Sequence, residues 1–164
     1  MITSCGFKLR GDYALPSEID HLQLLSSVKN APLQRALNKQ LTAYKIKVLG
    51  NSPLSEQQTS DIDVVVFLQK DNLDRRLLSL FPTGQVAEYE LVYTVNYSIQ
   101  FPGHDALLME FDVTREYQDD PDAVLAKSRE LDLVLGEMRQ QAAHRIIRQI
   151  ASSYNTWQHT LATN

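Results

Sequence analysis

The sequence predicts an α+β domain: two helices packed on one face of a small, largely antiparallel or mixed β-sheet. Three observations carry this. A period-2 run of apolar and polar residues spans 87–101, and a shorter one follows at 107–114. Two stretches, 33–44 and 131–150, instead place their apolar residues at helical spacing. A chain of 164 residues, 43% hydrophobic and 22% charged, suffices for one domain with a real core.

Residues 1–4 read as the remnant of an export signal and 5–17 as an extended lead-in, punctuated at Gly11-Asp12 and Leu15-Pro16. The domain proper covers 18–155, and 156–164 reads as a tail. His21 to Leu24 alternates and predicts a first strand. Asn30 then sits where a cap is expected, with Pro32 in the first helical turn. Leu33, Ala36, Leu37, Leu41 and Tyr44 form that helix's buried stripe. Residues 45–49 alternate as a short strand, and 50–60 is a polar loop broken by Pro53. Residues 63–68, dense in valine, form a strand. A turn at 70–72 leads into an extended piece over 73–81.

The period-2 run comes next. Ala87, Tyr89, Leu91, Tyr93, Val95, Tyr97, Ile99 and Phe101 alternate with polar residues, Val92 excepted. Such a strand has one wet and one buried face and spans roughly 50 Å, long enough to require a bend or bulge. Thr83-Gly84 and Pro102-Gly103 mark turns on either side. Leu107, Met109, Phe111 and Val113 repeat the alternation. Asp119-Asp120-Pro121 predicts a helix start, with acids near the positive end of the dipole. Leu131, Leu135, Met138, Ala142, Ile146 and Ile150 form its buried stripe, a core rather than a cofactor box. Arg145 and Arg148 fall near the expected C-terminal end, about residue 152. A helix from 121 to there runs about 48 Å, enough to lie along the long strands.

Charge and composition exclude several functions. A net charge of −4 and a pI near 5.5 argue against non-specific nucleic-acid binding. No apolar run approaches the ~20 residues of a spanning helix. Cys5 is the single cysteine, so an internal disulfide and a multi-cysteine zinc cluster are excluded. His21, His104, His144 and His159 share no ligand spacing, and no cofactor is implied. Asp119, Asp120 and Asp122 read better as a helix cap than as a metal cluster.

One enzymatic reading stands as the alternative. Ser60-Asp61-Ile62-Asp63 runs into three valines and resembles the Asp-x-Asp strand of small Mg²⁺-dependent nucleotidyltransferases, where two carboxylates on one face hold the metal. Asp112 could supply a third carboxylate. Gly50-Asn51-Ser52 lies upstream, but Asn51 and Pro53 depart from that family's phosphate-cradling turn. Asp61 and Asp63 could equally be the solvent side of a half-buried strand.

Ile2-Thr3-Ser4-Cys5-Gly6 has the form of a bacterial lipobox, which would make Cys5 a lipidated N-terminus. More of the chain points the same way. Cys5-Gly6-Phe7-Lys8-Leu9-Arg10, Leu15-Pro16-Ser17, Pro32-Leu33-Gln34-Arg35-Ala36, Gly84 to Tyr89 running into Tyr93-Thr94-Val95-Asn96, Pro102-Gly103, and Ala126-Lys127 occur in one order. In that order they resemble the LPS-assembly lipoprotein (LptE) family. The resemblance implies a non-enzymatic outer-membrane lipoprotein, lipid-anchored on the periplasmic face. It would plug the lumen of an LptD-type β-barrel and bind lipopolysaccharide. By the same resemblance, Lys127 matches a lysine implicated in that binding. A second basic residue is expected just before the Gly-Gln step, where this chain has Pro82. Arg75 and Arg76, in the preceding strand, are the candidates to replace it.

Overall fold

The computed structural model describes residues 15–50, 62–120 and 122–162, with side chains described as far as residue 158. Cys5, the lipobox, the start of the lead-in, most of the polar loop, Asp61 and Pro121 lie outside the described residues.

Among the described residues, six strands and two helices follow one another as β1 (His21–Ser26), α1 (Pro32–Ala43), β2 (Lys47–Leu49), β3 (Val64–Leu68), β4 (Asn72–Leu80), β5 (Val86–Gln100), β6 (Leu107–Gln118) and α2 (Val124–Ala162). The sheet is mixed. β1 pairs in parallel with β2 and β3, while β3, β4 and β6 all pair antiparallel with β5. Parallel pairing of β1 and β2 requires a crossover, which α1 supplies. β3 and β4 share one edge of β5 end to end, along residues 97–100 and 86–94. β6 covers the opposite edge.

Alternation sets the two faces. Leu22, Leu24, Val64, Val66, Leu68, Leu91, Tyr93, Val95, Tyr97, Ile99, Phe111 and Val113 are buried in one core. Leu33, Leu37 and Leu41 of α1 and Met138, Ala142, Ile146 and Ile150 of α2 join it. Both helices therefore cover the same face, as expected, and they touch one another through the Gln40 amide, which donates to the Gln140 carbonyl at 3.0 Å. The expected irregularity falls at the start of the long strand and is shared with its partner. Leu78 is the extra residue in β4 between the Leu77–Tyr89 and Ser79–Glu88 pairs, and Ala87 is the extra residue in β5 between Ser79–Glu88 and Leu80–Val86, which restores the register.

Three local expectations change. Asn30 is not the cap of α1. Pro32 at the first position requires an extended residue before it, and Ala31 takes that role with φ −52° and ψ 138°. Asn30 instead adopts a left-handed φ of 56°, and its carbonyl accepts a hydrogen bond from Arg35. At the other end of α1, Lys45 is left-handed at φ 64°. Lys45 N–H bonds the Thr42 carbonyl at 3.0 Å and Ile46 N–H the Leu41 carbonyl at 3.1 Å, a Schellman closure without glycine.

The second helix starts later than its acidic signal suggests. Asp119 N–H still belongs to the sheet, bonding the Ala87 carbonyl at 2.8 Å. Asp120 Oδ1 accepts from Asp122 N–H at 3.0 Å, and Ala123 N–H bonds the Asp120 carbonyl at 3.1 Å. The carboxylate thus caps a turn that leads into the helix. The helix then continues through 156–162, because its apolar stripe turns aromatic after Ile150. Tyr154 is buried, and Trp157 stacks on Phe101 with centroids 5.2 Å apart. Arg145 and Arg148 consequently sit well inside α2. Arg145 donates to the Asp112 carbonyl at 3.2 Å and lies over the Phe111 ring at 4.4 Å.

Candidate ligand-binding groove

Strand alternation sends Arg75 and Arg76 to opposite faces. Arg75 pairs with Leu91, whose side chain lies in the helix-covered core. Arg76 pairs with Glu90 on the polar face, and its guanidinium meets the Glu90 carboxylate at 3.4 Å. Lys127 lies in the first turn of α2, four residues after Ala123, whose carbonyl accepts its N–H at 2.9 Å. The structure brings Lys127 and Arg75 together. Both line an open groove of about 520 Å³, and Arg76 does not.

The groove lies where the β4–β5 hairpin, the end of β6 and the start of α2 meet. Val86, Tyr89, Val124 and Leu131 give it apolar walls, and Asp119 and Asp120 add acid at one side. Exposed apolar side chains neighbour its lining residues. Leu77 stands across from Tyr89 and Leu80 across from Val86, and they are 54% and 53% exposed. Val124 and Leu125 on the helix are 67% and 82% exposed. Large apolar side chains gathered at one end of a domain mark an interaction site more often than chance exposure.

Lys127 is held in place. Its Nζ meets Glu130 Oε2 at 2.9 Å and sits 5.3 Å from the centroid of the Tyr117 ring. The Tyr117 hydroxyl donates to the Lys127 carbonyl at 2.6 Å. One tyrosine therefore ties the backbone of the helix start to β6 and offers its ring face to the ammonium. The hydrogen bond to Glu130 holds the lysine above its ordinary pKa, so it is a full cation at neutral pH. Burial pushes the Tyr117 phenol up, so it stays a neutral donor. A cation fixed beside exposed apolar side chains suits an amphipathic anion: charged head on Lys127 and Arg75, alkyl chains on the exposed leucines and valines.

Of the carboxylates of the alternative reading, Asp61 lies outside the described residues, and Asp63 and Asp112 lie apart. Asp63 Oδ2 accepts from Asp20 N–H at 2.9 Å and His21 N–H at 2.8 Å, which fastens the start of β3 to β1. Asp112 Oδ1 accepts from Thr94 at 2.6 Å. Val65 pairs with Gln100 of β5, whereas Asp112 pairs with Thr94. Extended two residues to Asp63, that offset separates it from Asp112 by roughly 26 Å along the strands. Among the described residues, no group of three or more His, Cys, Asp or Glu side chains could hold a metal ion.

Among the groove residues, Tyr117, Val124 and Ser128 are not singled out by the sequence, nor is Glu130, the partner of Lys127. Tyr117 extends the period-2 pattern of β6 beyond residue 114, and Lys127 with Glu130 is an i,i+3 ion pair visible in the sequence.

The domain is thus a mixed sheet with two helices on one face and, at one end, a groove that holds Arg75 and Lys127 beside apolar side chains. No described helix is long and apolar enough to cross a membrane. The fold is that of bacterial lipoprotein domains. The crystal structure of the rare lipoprotein B from Shewanella oneidensis matches with a TM-score of 0.72 and 38% identity, over 85% of this chain and 99% of that one. The solution structure of a lipoprotein B from Nitrosomonas europaea shares the fold at a TM-score of 0.68. The chain belongs to the LptE family: the family model described as lipopolysaccharide-assembly matches residues 20–150. It is 34% identical over 146 residues to the LPS-assembly lipoprotein LptE of Pectobacterium atrosepticum, covering 89% of this chain and 76% of that one. It is 32% identical over 151 residues to that of Photorhabdus laumondii, covering 92% and 79%.

Replacing Tyr117 by Phe keeps the ring and removes the hydroxyl. It should cost about 1 kcal/mol of stability in a denaturant titration. Amide exchange should speed up selectively at the first turns of α2.

Proposed function

We propose that this chain is an outer-membrane lipoprotein that binds lipopolysaccharide and assists its assembly at the cell surface. It is tethered through a lipidated Cys5 on the periplasmic face and seated as a plug in the lumen of an LptD-type β-barrel. The role is non-catalytic and needs no cofactor. The observation that carries this reading is the placement of Arg75 and Lys127 in one groove beside exposed apolar side chains. Lipid A presents the matching chemistry: phosphates for the two cations and acyl chains for the leucines and valines.

The opposite sheet face supports the plug. Asp74, Arg76, Glu88, Glu90, Thr94, Asp112 and Gln118 engage one another or stand exposed there. Such a surface suits the polar interior of a large barrel. A tether of two or more acyl chains holds firmly where one alone binds marginally. The family membership and the lipoprotein names of its relatives support the same assignment.

Lys127→Asp should weaken lipopolysaccharide binding by about tenfold or more, and Arg75→Glu should weaken it as well, because charge-assisted contacts contribute about 1.5–3 kcal/mol each. Arg76→Glu, on the far face, should leave binding unchanged. Equal loss in Arg75→Glu and Arg76→Glu would contradict the groove. In detergent-solubilised envelopes, a large β-barrel protein should co-purify with the chain. Its absence would remove the plug.

A further inference from the structure

We propose that the pocket between the β5–β6 turn and the C-terminal part of α2 is a saccharide site that takes a neutral sugar ring. It lies at the end of the domain away from the Arg75–Lys127 groove. Tyr89, which lines that groove, and Phe101, which lines this pocket, are roughly 40 Å apart along the line of β5. Neither the groove nor its ligand enters the assignment.

The pocket has a volume of about 400 Å³, within the ~300–1,000 Å³ of small-molecule sites. One wall is aromatic. Trp157 stacks on Phe101 with ring planes 6° apart, and Tyr154 and His104 meet the indole at centroid distances of 5.3 Å and 5.8 Å. The indole is thereby fixed, yet only partly buried. The turn that carries His104 is fixed as well. Gly103 supplies a left-handed φ of 75°, His104 N–H bonds the Phe101 carbonyl at 3.2 Å, and the Gln100 amide donates to the His104 carbonyl at 3.1 Å. Asp105 follows on this turn and is exposed, as is Ser152 on α2, with Gln149 one turn before it. Among the described residues, the Asp105 carboxylate and the Ser152 hydroxyl have no hydrogen-bond partner.

These side chains select a ligand by exclusion and by fit. Among the described residues no lysine or arginine lines the pocket, so a phosphate or carboxylate finds no counter-charge there. A purely apolar ligand would take Asp105, Gln149 and Ser152 out of water and leave them without partners, which is costly. A sugar ring meets both demands. Its C–H face packs on the indole, while its hydroxyls donate to the Asp105 carboxylate and exchange hydrogen bonds with Gln149 and Ser152. The same carboxylate repels an acidic sugar. Such a ring can belong to the sugar part of a glycolipid or to a separate glycan, and the chemistry of recognition is shared.

Trp157 is the single tryptophan, so its fluorescence reports on this pocket directly. The full chain is titrated with the methyl glycosides of glucose, galactose and N-acetylglucosamine. At least one should give a saturable change at millimolar concentration, and methyl glucuronide, which brings a carboxylate to Asp105, should bind several-fold more weakly than the glucoside. Asp105→Ala should weaken the best glycoside about tenfold, the loss expected for a hydrogen bond to a charged group. Ser152→Leu, which fills the pocket from an exposed helix position, should abolish the response while circular dichroism and Tm stay unchanged. Lys127→Asp should leave the response intact, which separates this site from the groove. Displacement of the glycoside by the delipidated saccharide of lipopolysaccharide, or by a soluble cell-wall glycan, supports the site and identifies its source. Displacement by neither overturns a glycan role. No saturable response to any of the glycosides, an undiminished response in Ser152→Leu, or a response to hexanol alone overturns the proposal.

Discussion

The structure depends on the alternation of β5, which Val92 alone interrupts among its buried residues. Its fifteen residues are paired along one edge by β6 and along the other by β3 and β4 in succession. Because side chains alternate with period two, a one-residue slip would move its tyrosines, valine and isoleucine into water and bring Glu88, Glu90 and Asn96 into the core. The helices have a single apolar face to cover, and the loops between strands inherit their positions from it.

The same constraint builds the groove. Register on β5 places Leu77, Tyr89 and Tyr117 side by side, and Arg75 next to Leu91 and Arg115. α2 lies over this face, and its first turn approaches Tyr117. The tyrosine then serves as a joint between sheet and helix, with its hydroxyl on the Lys127 carbonyl and its ring beneath the ammonium. Farther along the same face of β5, burial of Tyr93 and Tyr97 pushes both phenols up, Tyr97 to about 12. The charged groups of the groove are Arg75 and Lys127, with Asp119 and Asp120 beside them.

Much of this was legible in the sequence, for physical reasons. Period-2 and helical spacing are local signals, so the strands, the two helices and their apolar stripes could be read directly. The two-helices-on-one-face architecture followed from them. Signals that depend on tertiary partners were harder. Asp119 and Asp120 look like a helix cap, yet Asp119 is captured by the β5–β6 ladder and α2 begins at Val124. The helix seemed to end near residue 152 because its stripe changes from aliphatic to aromatic, and only the contact of Trp157 with Phe101 explains its continuation. In the candidate site, Lys127 and Arg75 were named together with Arg76. Alternation alone could have separated the two arginines, since neighbours in a strand face opposite ways. Tyr117 was missed because Arg115 and Glu116 obscure the end of the alternation in β6. The lipid tether at Cys5 and the barrel partner belong to the family resemblance, as neither lies within the described residues.

Site-directed photo-crosslinking tests the account most directly. A photoreactive residue at Val124, on the groove wall, and one at Asp74, on the opposite face of the sheet, would each be illuminated in the full chain with lipopolysaccharide. The account predicts crosslinks to lipopolysaccharide at position 124 and none at position 74. Capture at 74 with none at 124 would place the ligand on the other face and contradict it.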